Sequence, residues 1–167
     1  KIGELNAALE SAGFGDSVKF ICSDHGEMLG ERGMWFKKTF YEPSMRVPII
    51  AHWPGHIAPG RVSTPISLVD LLPTFLDFAG GSPADLAEPI QGRSLGPMLR
   101  GVSETRDPVF GEHFDGGITA PRFMVRKGHY KLSLSAEFPS QLYDLSSDPL
   151  ELENRAGHTD YEKVEQD

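Results

Sequence analysis

The hydrophobic period of this sequence changes once, near residue 105, and that change limits the folds open to it. Before it, apolar residues form helical stripes and isolated strand-like runs separated by glycine-punctuated loops. After it, four short alternating runs follow one another with turn signals between them. The first pattern fits the end of an α/β sheet domain, and the second a small antiparallel sheet packed with a helix. The sequence therefore divides into residues 1–105 and residues 106–167. Its 167 residues, 39% of them apolar, suffice for a sizeable core.

Ile2, Leu5 and Leu9 fall at helical spacing and predict a first helix stopped by Gly13 and Gly15. The β-favouring run Val18–Ser23 predicts a strand that ends at Asp24-His25-Gly26. Residues 26–46 mix charged side chains with Trp35, Phe36, Phe40 and Tyr41, a segment too long for a turn and of the kind on which sites are built. Val47–Trp53, closed by Pro54-Gly55, reads as a second strand, and Ile57–Arg61 as a turn. Ser67–Ala79 carries the strongest apolar helix face, and Pro73 inside it predicts a kink or a late start. A shorter helix over Leu95–Leu99 ends at Gly101. Strands are predicted over 109–114, 122–126, 130–135 and 141–145, with Lys127-Gly128 as a hairpin turn. The acid-rich residues 148–167 read as a loop followed by a partly ordered helix.

Sixteen Lys and Arg against 24 Asp and Glu leave a formal charge of -8, which argues against nonspecific binding to nucleic acid or an anionic membrane. An anionic substrate then requires a locally positive site. No apolar run reaches the roughly 18 residues of a membrane-spanning helix. Cys22 is the only cysteine, so neither an internal disulfide nor a multi-cysteine zinc cage can form. Its place in a strand predicts a buried, inert thiol. The chain opens at Lys1 without a signal segment and reads as a piece of a longer protein whose compartment stays open.

Asp24 and His25 stand where a strand gives way to a loop, the place at which open α/β sheets bind ligands. A carboxylate beside an imidazole offers a hard oxygen and a nitrogen to a divalent cation, although an adjacent Asp-His pair serves a cap or turn as readily. The longer stretch is more specific. Cys22-Ser-Asp-His-Gly runs through Gly30-Glu-Arg-Gly-Met-Trp-Phe-Lys-Lys to Arg46-Val-Pro-Ile-Ile and Trp53-Pro-Gly, followed by Val69-Asp-Leu-Leu-Pro-Thr74 and Gln141-Leu-Tyr-Asp-Leu-Ser-Ser-Asp-Pro-Leu-Glu-Leu-Glu-Asn154. This pattern resembles the sulfatase family of the alkaline-phosphatase-like superfamily, and within it the C-terminal portion of choline-sulfatase-type enzymes.

The resemblance implies metal ligands at Asp24 and His25, and a sulfate-contacting lysine about a dozen positions on, at Lys37. It implies a divalent ion, Ca²⁺ ahead of Mn²⁺ or Mg²⁺, and a formylglycine nucleophile made from a C/S-x-P-x-R motif far upstream. Cys22, followed by Ser-Asp-His-Gly, does not fit that motif. An acidic residue such as Glu112 resembles part of a headgroup pocket, where an anion beside aromatic faces suits a quaternary ammonium. The implied partner is a small sulfate ester, choline O-sulfate or another alkyl or aryl sulfate, and the implied full-length enzyme is a homo-oligomer. Phosphonate monoester or phosphodiester hydrolysis and a noncatalytic association domain are the competing readings.

Among the remaining candidates, Lys38 reads as a solvated neighbour of Lys37, Trp35 and Phe36 as anchors of their loop to the core, and Arg46 as one half of a structural ion pair. His52 and His56 read as ordinary residues flanking Trp53. His129 and His158 carry no recognisable partner pattern.

Overall fold

The computed structural model describes residues 1–102, 105–106, 108–114, 117 and 119–167. Contacts divide the chain into two units: Lys1–Ser23 with Pro48–Val62 and Val69–Glu104, and Asp24–Val47 with Ser63–Leu68 and Thr105–Asp167. The loop after the first strand therefore groups with the C-terminal sheet, whereas the sequence places it with the first segment. Side-chain ties described below, from residues 40–42 to residues 131 and 151, are the reason.

In the first unit, helix α1 covers Ile2–Ser11 and turns off at Gly13 as the sequence predicts. Strand β1, Lys19–Cys22, pairs antiparallel with β4, Ile49–His52, in the register Phe20↔Ala51 and Ile21↔Ile50. Phe20 meets Phe75 edge-on at 5.1 Å between ring centres, and Trp53 lies 5.0 Å from Phe78. His56 stacks on Trp53. Cys22 is exposed, not buried as its strand position implies, because β1 has a single partner strand here.

Helix α3, Leu71–Phe78, begins after a 3₁₀ turn over Leu68–Asp70, so the late start is what Pro73 imposes. Proline is tolerated in a helix's first turn, where its missing N–H had no intrahelical partner to lose. The polar residues of α3 hold the segment leading into α4, Gly96–Leu99. Asp70 Oδ1 accepts from the Arg93 amide at 2.9 Å, and Asp77 Oδ2 accepts from the Ser94 hydroxyl at 2.5 Å. Thr74, fully buried, donates to the Asp70 carbonyl at 2.6 Å and accepts from the Leu95 amide at 2.8 Å. Thr74→Val keeps the shape but leaves the buried Leu95 amide without its acceptor, an expected loss of about 1–3 kcal/mol. Urea unfolding measures it; an unchanged midpoint would show the hydroxyl to be dispensable.

The second unit is built on a four-stranded meander in the order β5-β6-β7-β8, with β5 at Val109–His113, β6 at Arg122–Lys127, β7 at Tyr130–Ser135 and β8 at Gln141–Asp144. The β6–β7 turn is made by Gly128-His129, one residue later than predicted, since Lys127 still pairs with Tyr130. Gly128 has φ 60°, the left-handed conformation that tight hairpin turns demand. The loop 24–47 contains a minimal ladder of β2, Met28–Leu29, with β3, Trp35–Phe36, and one helical turn, α2, at Glu42–Met45. Trp35 and Phe36 are exposed, and this two-residue ladder, too short to bury either ring, does not anchor the loop as the sequence implies. The chain finishes in α5, Glu162–Gln166, preceded by Tyr161, whose ring meets Tyr130 edge-on. Among the described residues no helix is long and apolar enough to cross a membrane.

Candidate active site

Two residues beyond β1, the side chain of Asp24 is largely exposed and that of His25 about one-third exposed. The His25 amide donates to Asp24 Oδ1 at 3.0 Å. That bond is the main reason the Asp24 carboxyl lies below its usual value; desolvation opposes it, and the Lys37 ammonium adds a smaller contribution in the same direction as the bond. Asp24 is thus held in its anionic, ligand-competent form.

His25 Nδ1 lies 2.8 Å from the Gly26 carbonyl, and Nε2 lies 2.7 Å from Lys37 Nζ. A carbonyl only accepts and an ammonium only donates, so both bonds form together in the tautomer with the proton on Nδ1 and the lone pair on Nε2. This is the tautomer in which Nε2 ligates metals, the other nitrogen fixed by a backbone carbonyl, and its single lone pair is here taken by Lys37. Asp24 Oδ2 stands 3.5 Å from the same Nε2, close enough for both atoms to reach one cation at bond lengths of about 2.0–2.5 Å. Among the described residues no group of three His, Cys, Asp or Glu side chains able to hold a metal ion assembles.

Lys37 reaches His25 from the far side of the β2–β3 ladder, twelve positions away. Phe36 and Lys38, on either side of it, both have left-handed backbones, φ 70° and 76°, which side chains rarely adopt. Such conformations persist only where surrounding structure fixes them. His25, Lys37, Lys38, Glu112 and His113 line one recess of about 340 Å³. Three of the candidate positions, His25, Lys37 and Glu112, therefore line a single concavity, although Glu112 comes from β5, some 75 residues beyond Lys37; Asp24 meets them through His25, its Oδ2 3.5 Å from Nε2.

The backbone that carries this pair is held from behind. The Gly26 and Glu27 amides donate to the carbonyls of Ser44 and Pro43, at 2.7 and 2.9 Å. A Cβ at residue 26 would stand 2.0 Å from the Pro43 oxygen, so only glycine permits this approach. Helix α2 is in turn fixed at its start: the Glu42 amide donates to Glu151 Oε2 at 2.7 Å, and Lys131 Nζ donates to the Phe40 carbonyl at 2.8 Å and to Glu42 Oε1 at 2.9 Å. Lys131 also pairs with Glu151, and both are almost wholly buried. Arg126 adds a further contact to Glu42 at 3.3 Å, because the register Arg126↔Lys131 puts the two cations side by side across β6 and β7. Burial opposes ionisation of Glu42, but Lys131, Arg126 and Arg46 outweigh it and keep the carboxyl below its ordinary value.

Sequence reasoning missed Glu42, Lys131 and Glu151. Two signals were present: a lysine at an inward position of β7, and the acidic residue of Asp148-Pro-Leu-Glu151 inside a quoted motif. Buried charges occur where they are paired, so a charge in the core pattern points to an unseen partner.

Residues 30–167 match the family described as N-sulphoglucosamine sulphohydrolase, C-terminal. The chain is 45% identical over 157 residues to a choline-sulfatase of Rhizobium meliloti (strain 1021), covering 93% of this chain and 30% of that protein. It is 35% identical over 167 residues to arylsulfatase K of Homo sapiens, covering 93% of this chain and 31% of the relative. A solved structure of BT4656 in complex with its substrate D-glucosamine-2-N,6-O-disulfate superposes with a TM-score of 0.87 at 32% identity, over 99% of this chain and 35% of that one. The phosphonate monoester hydrolase of Agrobacterium radiobacter gives 0.81 at 31% identity, over 98% and 36%. The chain thus spans about a third of the length of the curated relatives it matches.

Proposed function

Because the chain belongs to the sulfatases, in the N-sulphoglucosamine sulphohydrolase C-terminal family, we propose that the protein carrying it hydrolyses a small sulfate monoester, with choline O-sulfate as the first candidate. The convergence of Asp24 Oδ2 and the Lys37 ammonium on His25 Nε2, with His25 and Lys37 lining one recess, supports this reading above all else. Asp24 and His25 would hold a divalent ion, Ca²⁺ ahead of Mn²⁺ or Mg²⁺, through one carboxylate oxygen and Nε2. When bound, that ion supplies a Lewis acid facing the ester and the nucleophile. The nucleophile of this reading, a formylglycine, lies upstream of these residues.

The chain's own residues do the rest. A sulfate monoester brings one negative charge, and the Lys37 ammonium offers the positive contact that an otherwise acidic protein must concentrate locally. The Gly26 carbonyl keeps the His25 proton on Nδ1, so that Nε2, which accepts from Lys37 here, would turn its one lone pair to the ion when the Lys37 ammonium turns to the sulfate. Glu112 and Phe40 line the same recess, an acidic and an aromatic residue that would suit a cationic headgroup. The 45% identity to a choline-sulfatase favours that choice. The phosphonate monoester hydrolase likeness keeps a second reading in view, in which the same donors serve a phosphonate ester. Association into a homo-oligomer belongs to the proposal for the full-length enzyme.

The test compares the full-length protein on choline O-sulfate, 4-nitrophenyl sulfate and a 4-nitrophenyl phosphonate monoester, with and without chelator. Sulfate esters are expected to be turned over fastest, and chelation to stop the reaction. Preference for the phosphonate would overturn the sulfatase reading. The 167-residue chain alone is expected to show no turnover, since two protein ligands leave most of a six-to-eight-coordinate Ca²⁺ shell unfilled. Turnover by that chain above a Lys37→Ala control would place the nucleophile within it.

A further inference from the structure

We infer that the buried Lys131–Glu42–Glu151 cluster is the positioning device for the Asp24–His25 pair, acting through helix α2. The inference rests on the reading of that pair as the metal-ligating half of a hydrolytic site. Glu151 and Lys131 grip the start of α2, through the Glu42 amide and the Phe40 carbonyl. The other end of the same single turn presents the Pro43 and Ser44 carbonyls to the amides of Glu27 and Gly26. Gly26 then fixes the imidazole through its own carbonyl. Each link is a hydrogen bond of 2.7–2.9 Å, and the path from the Glu151 carboxylate to His25 Nδ1 crosses one helical turn and one glycine.

The composition of the cluster fits positioning better than mere adhesion. Paired charges buried in a core contribute little net stability compared with apolar side chains of similar volume, yet they fix geometry tightly because each unmet charge is costly. Here they terminate on backbone groups of the segment that carries the site. A four-residue helix has no stability of its own, so its position is set by what grips its ends. Glu151 itself has φ 56°, a left-handed conformation that the neighbouring Asp148 carbonyl and the cluster hold in place.

The experiment uses the full-length protein and the variants Glu151→Ala and Glu151→Gln, the second keeping an acceptor for the Glu42 amide. A third variant, Lys131→Met with Glu151→Gln, removes both charges at nearly constant volume and serves if Glu151→Ala does not fold. Hydrogen exchange is followed at residues 25–27 and in β6–β7, and Ca²⁺ and Mn²⁺ affinity is measured by calorimetry. Glu151→Ala, or the double variant in its place, should speed exchange at Gly26 and Glu27 at least about tenfold while β6–β7 amides stay protected. It should weaken metal binding about ten- to a hundredfold, the range typical of losing an outer-shell support. Glu151→Gln should fall between that variant and wild type on both measures. Unchanged exchange at Gly26 and Glu27 in a folded variant overturns the inference, as does acceleration spread evenly over the sheet. Wild-type protein that fails to hydrolyse sulfate esters while Glu151→Ala still loosens residues 26 and 27 would instead overturn the functional reading.

Discussion

Gly26→Ala is expected to destabilise the second unit by about 3 kcal/mol and to abolish turnover by the full-length enzyme. The added methyl would stand 2.0 Å from the Pro43 oxygen and 3.1 Å from the Ser44 oxygen, both rigid backbone atoms with no rotamer to escape into. Either the hydrogen bonds from Gly26 and Glu27 to α2 break or α2 moves. Overpacking of this kind costs about 1–3 kcal/mol, and each backbone bond lost adds about 1 kcal/mol. The imidazole would move with its chain, since the carbonyl that orients it belongs to the substituted residue. Urea unfolding with activity on 4-nitrophenyl sulfate measures both effects. Wild-type stability in this variant would show that the approach of residues 26 and 43 is looser than 2.0 Å implies.

Lys37→Ala should lower kcat/KM about a hundred- to a thousandfold, or about 2.7–4 kcal/mol, the usual loss when one charge-assisted contact to developing charge disappears from a preorganised site. Lys38→Ala should change the rate by less than about tenfold. Both lysines line the recess, so a generally positive surface would make them equivalent. The Lys37 ammonium lies 2.7 Å from His25 Nε2. Greater damage from Lys38→Ala would move the sulfate contact by one residue and leave Asp24 and His25 where they are.

Elements defined by local chemistry were legible in the sequence. The start of α3 follows from Pro73, the end of α1 from Gly13, and β5–β8 from alternation with turn residues between them. The Asp24, His25 and Lys37 positions were legible through motif spacing, and their meeting at His25 Nε2 is what the fold adds. Glu42, Lys131 and Glu151 escaped because no local pattern links residues about ninety and twenty positions apart; only the pairing of β6, β7 and β8 sets those charges against one helical turn. Cys22 escaped for the opposite reason. Its local pattern was that of a strand, but burial depends on how many neighbours the strand acquires.

The grip on α2 also sets an order of events during synthesis. Glu42 waits for an acceptor 109 positions later, and Phe40 for a lysine 91 positions later. A ribosome that has finished the loop carrying Asp24, His25 and Lys37 has still to make the whole β5–β8 meander and the turn beyond it before that loop is anchored. The entropy cost of closing so long a span grows only slowly with length, but contacts of this separation slow folding. The segment carrying Asp24, His25 and Lys37 is thus among the last to be anchored, and a nascent chain stalled before Glu151 would display it as an untethered loop, with Lys131 already made and its carboxylate partner still to come.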